Sequence, residues 1–210
     1  MPAERSFTEV YEHPRDGEPV YRVAEMLPRQ GMWSVERFLM LDDDDCPVEL
    51  VNGRVEMMPM TTEEHQDAQN YLYVELLAYC DRTGAGKPST AGIRVRMVDG
   101  NVRLPDIVFM KAEHQARRNN RYWDGADLVM EIVSEDDSNR DWEEKFAEYA
   151  ASGVTEYWII DPRDRTVTVF ALDASTAAYC ENFRGGVGTT ARSALLDGFE
   201  IAVSAIFGKR

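Results

Sequence analysis

Two acidic residues and one lysine in the middle of this chain have the types and spacing needed for metal-assisted phosphodiester chemistry. Asp106 stands at the head of the apolar run 107–110, and Glu131 lies within the apolar run 128–133. Lys145 follows Glu131 by 14 positions, in a segment whose pattern predicts a helix. Carboxylates on neighbouring strands offer the hard oxygen ligands that divalent cations prefer, and a nearby lysine can orient the attacking water.

Each of these residues also has a structural interpretation. An Asp at a strand start, or a Glu on a half-buried strand, is commonly structural or solvated. Lys145 lies four positions after Asp141, so the two could form an ordinary ion pair on the surface of the helix. The residue types alone therefore leave both interpretations open.

A basic segment separates the two candidate strands. It runs from Lys111 to Arg121, includes Arg117 and Arg118, and contains a single acid, Glu113. Its position predicts that Arg117, Arg118 and Arg121 contact phosphate, although a solvated loop fits the same composition. The net charge of −15 opposes binding to a polyanion, so any such contact must be local.

The composition predicts one folded domain. With 210 residues, 44% of them hydrophobic, the chain can bury a core. Residues 1–32 have turn-forming residues and little periodicity, which predicts an irregular N-terminal arm before a single domain over 33–210. No apolar run is long enough to span a bilayer and the start lacks a secretory signal. Three widely spaced cysteines without a CxxC pair favour a reducing, cytoplasmic setting.

Periodicity and turn signals predict the elements that would position the candidate residues. Asn52-Gly53 is a strong signal for a two-residue hairpin turn. Helices are expected after Ser34, from Thr62 to about Arg82, and from a Ser138 cap, with Asp141 completing a capping box, to about Ser152. Strands are expected over 48–51, 55–58, 93–97, 102–110, 126–133, 157–160 and 167–172, with a last strand and short helix within 195–207. On the long helix the expected buried stripe is Ala68, Leu72 and Leu76, with Tyr71, Val74 and Tyr79 close to it.

This order of elements predicts an α/β fold with a mixed β-sheet flanked by helices. It is not a repeated βαβ array. Neither a GxGxxG nor a GxxxxGK[ST] loop is present, which argues against dinucleotide and P-loop chemistry.

Several stretches in order resemble the Uma family of putative restriction endonucleases, within the PD-(D/E)XK nuclease superfamily. They are VELVNG at 48–53, EHQ at 64–66, LPDIV at 104–108, DLVMEIVS at 127–134, KFAEY at 145–149 and YWIIDP at 157–162. The resemblance extends over roughly residues 33–207 and implies a restriction-endonuclease-like core.

The resemblance also implies roles for individual residues. Asp106 matches the Asp of PD, and Glu131 matches the acidic residue of (D/E)XK. Val133 stands where that motif has lysine, and the family pattern suggests that Lys145 on the following helix replaces it. The resemblance adds Glu49 as a third carboxylate, whose side chain points either across the sheet or to solvent. It also implies that His65 is a metal ligand or a phosphate contact, although a capping or core histidine fits His65 equally.

The expected function is therefore a divalent-metal-dependent endodeoxyribonuclease that uses Mg²⁺ or Mn²⁺, acts on DNA and pairs as a homodimer. The alternative is a catalytically inactive nuclease-fold module that binds nucleic acid or protein. The acidic run 135–137 beside Glu131 and the net charge favour this alternative. A glycosidase-like use of paired carboxylates would need an open sugar cleft lined with aromatic residues, which the sequence does not indicate.

Overall fold

The computed structural model describes residues 27–41, 47–90, 92–134 and 140–208. Its helices are α1 (Val35–Leu39), α2 (Glu63–Thr83), α3 (Lys145–Ala151) and α4 (Val203–Ile206), with a 3-10 segment at Ala112–Arg117 and a π-helical turn at Arg140–Glu144. Its strands are β1 (Val48–Val51), β2 (Arg54–Met57), β3 (Gly86–Thr90), β4 (Arg94–Arg96), β5 (Val102–Arg103), β6 (Ile107–Lys111), β7 (Tyr122–Asp124), β8 (Leu128–Ile132), β9 (Glu156–Asp161), β10 (Thr166–Asp173), β11 (Ala178–Gly186), β12 (Thr190–Arg192) and β13 (Glu200–Ala202).

A six-stranded mixed sheet forms the centre of the molecule, in the order β11-β10-β9-β8-β6-β3. Strands β8 and β9 are parallel, and the other neighbours are antiparallel. A second sheet has the order β2-β1-β5-β4-β7, and β12 pairs with β13 separately. The predicted α/β class with mixed strand directions and flanking helices is confirmed, although the strands divide among more than one sheet.

Two apolar layers cover the faces of the central sheet. Helix α2 contributes the predicted stripe Ala68, Leu72 and Leu76 to one layer, which also includes residues of α4 and of β12–β13. The opposite face packs against α3 and against β4 and β7 of the second sheet. Strand β8 is buried along its whole length, as its apolar run predicts.

Helix α2 begins and ends where its sequence predicts. The Thr62 side chain accepts a hydrogen bond from the His65 N–H, and Gly84 ends the helix in the left-handed conformation at φ +69°. One expectation for this helix is wrong, because Val74 is 58% exposed. It lies on the side of the helix opposite the buried stripe, because two residues correspond to about 200° of helix rotation from Leu72.

The predicted strand 102–110 is wrong as a single element. It divides into β5, which pairs with β4 and β1, and β6, which pairs with β3 and β8. Pro105 has no backbone N–H to give to a ladder, so the chain leaves one sheet there and enters the other. Asp106 therefore lies at the junction between the two sheets.

Other differences follow from weak sequence signals. Strands β3, β7, β11 and β12 are not predicted, and most residues of β11 are exposed or half-buried, so the strand lacks clear alternation. Within the described residues, the helix expected from Ser138 to about Ser152 consists of the π-helical turn Arg140–Glu144 followed by α3. The Ser138 cap and both acidic runs, 42–45 and 135–137, lie outside the described residues. Within the described part of the chain, no helix is long and apolar enough to cross a membrane.

The β1–β2 hairpin turns at Asn52 and Gly53, whose φ angles of 51° and 71° match the predicted turn. The Gly53 carbonyl accepts hydrogen bonds from the backbone N–H groups of Gly31 and Trp33. A Cβ at Gly53 would lie 2.9 Å from the Gly31 carbonyl oxygen. The described end of the predicted N-terminal arm thus packs closely against the turn.

We expect Gly53→Ala to destabilise the fold more than Gly153→Ala. Gly153 has a similar φ of +75° but open space where a Cβ would stand, so alanine there costs only the left-handed conformation, about 1–2 kcal/mol. In Gly53→Ala the overlap of the new Cβ with the Gly31 backbone adds a further loss of folding free energy of about 1 kcal/mol or more. Urea unfolding of both variants measures the difference, and equal losses would show that the contact with Gly31 contributes nothing.

Candidate active site

The register of β6 and β8 brings Asp106 and Glu131 to opposite positions on neighbouring strands. Ile107 pairs with Met130, which places residue 106 across from residue 131. The backbone N–H of Ile132 donates to Asp106 Oδ2 over 2.8 Å and fixes the carboxylate at the strand end. The structure therefore brings the two predicted carboxylates together.

Glu131 is held in the interior on the face of the sheet that packs against α3. Its side chain is on the same face as Val129 and Val133, and the residue is only 2% exposed. The Tyr149 hydroxyl donates to Glu131 Oε1 over 2.6 Å, and Lys145 Nζ lies 3.0 Å from Oε2. Both contacts come from α3, so this short helix sets the orientation of Glu131.

Lys145 is a buried cation and not the solvated lysine of the structural interpretation. Its side chain is 3% exposed, and its Nζ also lies 3.1 Å from Asp141 Oδ1, so the i−4 pair forms in the interior. Burial alone lowers the pKa of Lys145, but Glu131, Asp141 and other carboxylates outweigh it and raise the pKa above its ordinary value. Lys145 therefore remains protonated.

The acids around Lys145 outnumber their cation. Burial raises the pKa of Glu131 to about 8, because Asp106 and Asp141 add to the effect and Lys145 only partly opposes it. Burial likewise raises the pKa of Asp141, again against the opposing charge of Lys145. The site is thus short of positive charge.

His65 and Gln69 of α2 hold Asp106 from the other side. His65 Nε2 lies 3.2 Å from Asp106 Oδ2, and Gln69 donates its side-chain amide to the Asp106 carbonyl over 2.7 Å. Burial lowers the pKa of His65, but the hydrogen bond and charge of Asp106, helped by Glu131, raise it overall. His65 Nδ1 is buried and has no hydrogen-bond partner among the described residues.

Glu49 points into the interior and not to solvent. Its Oε2 accepts from Arg103 over 3.0 Å and from Arg140 over 2.5 Å, and its Oε1 accepts from the Leu104 N–H. Arg103 is 1% exposed, and its Nε also donates a hydrogen bond to Glu148 Oε2 over 2.7 Å. Burial raises the pKa of Glu49, but Lys145, Arg103 and Arg140 outweigh it and hold the pKa below its usual value.

A cavity of about 410 Å³ opens over this cluster. Its charged lining includes His65, Asp106, Glu131, Asp141 and Lys145, together with Arg140 and Arg163. Its apolar lining includes Pro47, Met58, Pro59, Met60 and Pro162. Because pockets of this size are where small groups of reactive side chains usually meet their ligands, the cavity is the candidate active site.

The basic segment lies elsewhere. Asp106 precedes the first residue of β6, whereas Ala112–Arg117 follows its last residue, so the two are at opposite ends of that strand. Arg117 donates Nε to the Asp124 carbonyl, and the Arg118 guanidinium lies 5.6 Å from the centre of the Trp123 ring. The structure therefore does not bring Arg117, Arg118 or Arg121 to the cavity.

The residues of the cavity fit a divalent cation by the chemistry of their donors. Asp106, Glu131 and Asp141 supply carboxylate oxygens, and the raised pKa values of the last two mark a place where added positive charge is stabilising. As the side chains stand, the described residues contain no group of three His, Cys, Asp or Glu arranged to hold a metal. Glu131 is instead bonded to Lys145 and Tyr149.

Sequence reasoning missed four residues that shape the site. Asp141 was expected only as a capping residue or a surface partner, and Tyr149 appeared only within a matched stretch. Arg103 and Arg140 were not singled out at all. The one signal that could have found Arg103 is its position in β5, directly before the Leu-Pro-Asp stretch.

Comparison with known proteins identifies a family and a similar fold. A family model named Uma2, described as "Putative restriction endonuclease", matches residues 10–204. A crystal structure of a "putative nuclease belonging to DUF820" from Anabaena variabilis has a similar fold, with a TM-score of 0.68 and 17% sequence identity, covering 83% of this chain and 97% of the other. A search of curated proteins found no match.

We expect Arg103→Met to destabilise the protein by about 3–5 kcal/mol, because it removes the guanidinium that bonds two buried carboxylates, Glu49 and Glu148. Arg192→Met is the matched control, since Arg192 pairs with Glu200 on the surface and should cost about 1 kcal/mol or less. Chemical denaturation measures both. A loss in Arg103→Met no larger than in the control would contradict a structural role for this ion pair.

Proposed function

Because the chain belongs to the Uma2 family, described as putative restriction endonucleases, we propose that it is a divalent-metal-dependent endodeoxyribonuclease that hydrolyses phosphodiester bonds. One observation carries the proposal. Asp106 and Glu131 lie opposite each other on paired strands and line one cavity, with the Lys145 ammonium 3.0 Å from Glu131. Two hard oxygen donors and a fixed cation at one point of a cavity suit phosphodiester hydrolysis better than the other chemistries considered.

Asp106 and Glu131 would hold the Mg²⁺ or Mn²⁺. When bound, the cation supplies Lewis-acid chemistry, lowering the pKa of water and stabilising charge on phosphoryl oxygens. Asp106 is the more accessible of the two, with a side chain 16% exposed. His65, whose Nε2 already contacts Asp106, is suited to adjust that carboxylate or to add a nitrogen ligand.

Lys145 acts as a hydrogen-bond donor and a fixed positive charge. Its raised pKa excludes a role as general base near neutral pH, because it does not give up its proton there. Its position against Glu131 lets it orient the attacking water and stabilise the negative charge that develops on phosphate. Tyr149 keeps Glu131 turned toward this lysine.

Glu49 contributes by positioning. Both of its oxygens accept hydrogen bonds from Leu104, Arg103 and Arg140, and it is fully buried behind the cavity. Through Arg140, which lines the cavity, Glu49 places a guanidinium near the reacting groups. The predicted role of Glu49 as a metal ligand would require it to release one of these partners.

DNA is the proposed substrate, and the basic segment gives it a second contact region. Arg117, Arg118 and Arg121 would hold phosphates some distance from the cleaved bond, at the other end of β6. The homodimer and the cytoplasmic setting stay predictions of the resemblance and of the cysteine pattern.

We expect Asp106→Asn to lower the rate of plasmid nicking by at least about a hundredfold, because a neutral amide is a poor ligand for a divalent cation. Titration calorimetry with Mn²⁺ should show saturable binding to the wild type and none to the variant, and EDTA should abolish nicking. Asp81→Asn, an exposed position on the last turns of α2, is the control and should retain both properties.

The circular dichroism spectrum and melting temperature of Asp106→Asn must match the wild type for this comparison to be valid. Nicking that persists at the wild-type rate in Asp106→Asn would disprove the proposed metal centre. Saturable metal binding without nicking of any DNA would favour the inactive binding module.

A further inference from the structure

The reacting groups proposed above lie at the bottom of the cavity and not on an open surface. Glu131 is 2% exposed, and the Lys145 side chain is 3% exposed. Asp106 is more accessible, but it is still bounded by His65 of α2. A phosphodiester must therefore enter the cavity to reach them.

One wall of the cavity is apolar. Pro47, Met58, Pro59 and Met60 come from the two ends of the β1–β2 hairpin and line the cavity together with Pro162. Met60 is 92% exposed, so its side chain is accessible to a ligand that enters the cavity. Proline and methionine side chains can pack against the face of a nucleobase, and they offer no charged group to a phosphate backbone.

Positive charge in the cavity is scarce. Of the three Lys and Arg side chains among its described lining residues, Lys145 and Arg140 face buried carboxylates. Arg163 is held at the opening by Asp161, through Nε over 2.9 Å and Nη2 over 2.6 Å. Its side chain is 39% exposed, and its Nη1 lies outside this fork. Arg163 is thus a pre-oriented guanidinium that can contact phosphate.

Binding of a duplex needs many phosphate contacts along both strands, on the order of 6–10 for well-studied proteins. The cavity offers one accessible guanidinium and an apolar wall, and the basic segment lies at the far end of β6. The chain also has a net charge of −15. A single strand is thinner and bends easily, so one phosphodiester can enter while its base lies against the wall.

We propose that the substrate is a single DNA strand, with Arg163 holding a phosphate at the opening of the cavity and Met60 contacting a base. This inference rests on the proposed nuclease function and specifies its substrate class. Asp161 acts as a positioning residue for Arg163. Single-stranded regions, flaps and frayed ends are the forms of DNA that meet this requirement.

The test compares one labelled oligonucleotide alone with the same oligonucleotide annealed to its complement, in Mn²⁺ and with the full chain. We expect kcat/KM to be at least about tenfold higher for the single strand. Arg163→Gln should raise KM for the single strand several-fold with a smaller effect on kcat, whereas the exposed control Arg192→Gln should change neither. Met60→Glu should also raise KM, and Val74→Glu, at an exposed apolar site on α2, is its control.

Fluorescence anisotropy in Ca²⁺ measures binding separately from cleavage. Tighter binding of the single strand that is weakened in Arg163→Gln supports the inference, even if neither DNA is cut. The absence of cleavage would overturn only the proposed nuclease activity. Equal or better binding and cleavage of the duplex would overturn the inference and leave the nuclease intact. Unchanged KM and affinity in both Arg163→Gln and Met60→Glu would overturn the assigned roles.

Discussion

The structure depends on keeping ionisable side chains in the interior between two sheets. Five carboxylates (Glu49, Asp106, Glu131, Asp141 and Glu148) are brought together with three cationic side chains (Arg103, Arg140 and Lys145). Removing charges from water costs several kcal/mol per ion, so the arrangement persists only because each ion has close partners and the surrounding elements are well packed. The two apolar layers on the central sheet supply that packing.

The same constraint links the fold to the chemistry. Arg103 of the second sheet bonds Glu49 of the same sheet and Glu148 of α3. Lys145 in turn connects α3 to the central sheet through Glu131. The carboxylates exceed the cations in this cluster, and the charges of Asp106 and Asp141 add to burial, the main cause that raises the pKa of Glu131. A site short of positive charge is favourable for a divalent cation and unfavourable for close approach of many phosphates. The proposed metal binding and the proposed small number of phosphate contacts would therefore have one physical origin.

Local signals in the sequence predict the elements but not the partnerships between them. The Asn52-Gly53 turn, helix α2 and the buried strand β8 were predictable because a turn type, two caps and an apolar run each act over a few residues. The division of residues 102–110 between two sheets was missed because it depends on which strands are nearby. Arg103 and Asp141 were missed for a similar reason, since charged residues are normally exposed and only tertiary packing buries them.

The position of Lys145 follows from the packing of β8. Val133 lies two residues after Glu131 on the same face of the sheet, 3% exposed within the layer that includes Tyr149. A lysine at 133 would have to place its stem in that apolar layer, whereas a lysine on the first turn of α3 reaches Glu131 from above. The ammonium then also meets Asp141, one helical turn earlier, which stabilises its charge. A cation on the helix thus leaves an apolar residue in the core and couples the orientation of α3 directly to the geometry of the site.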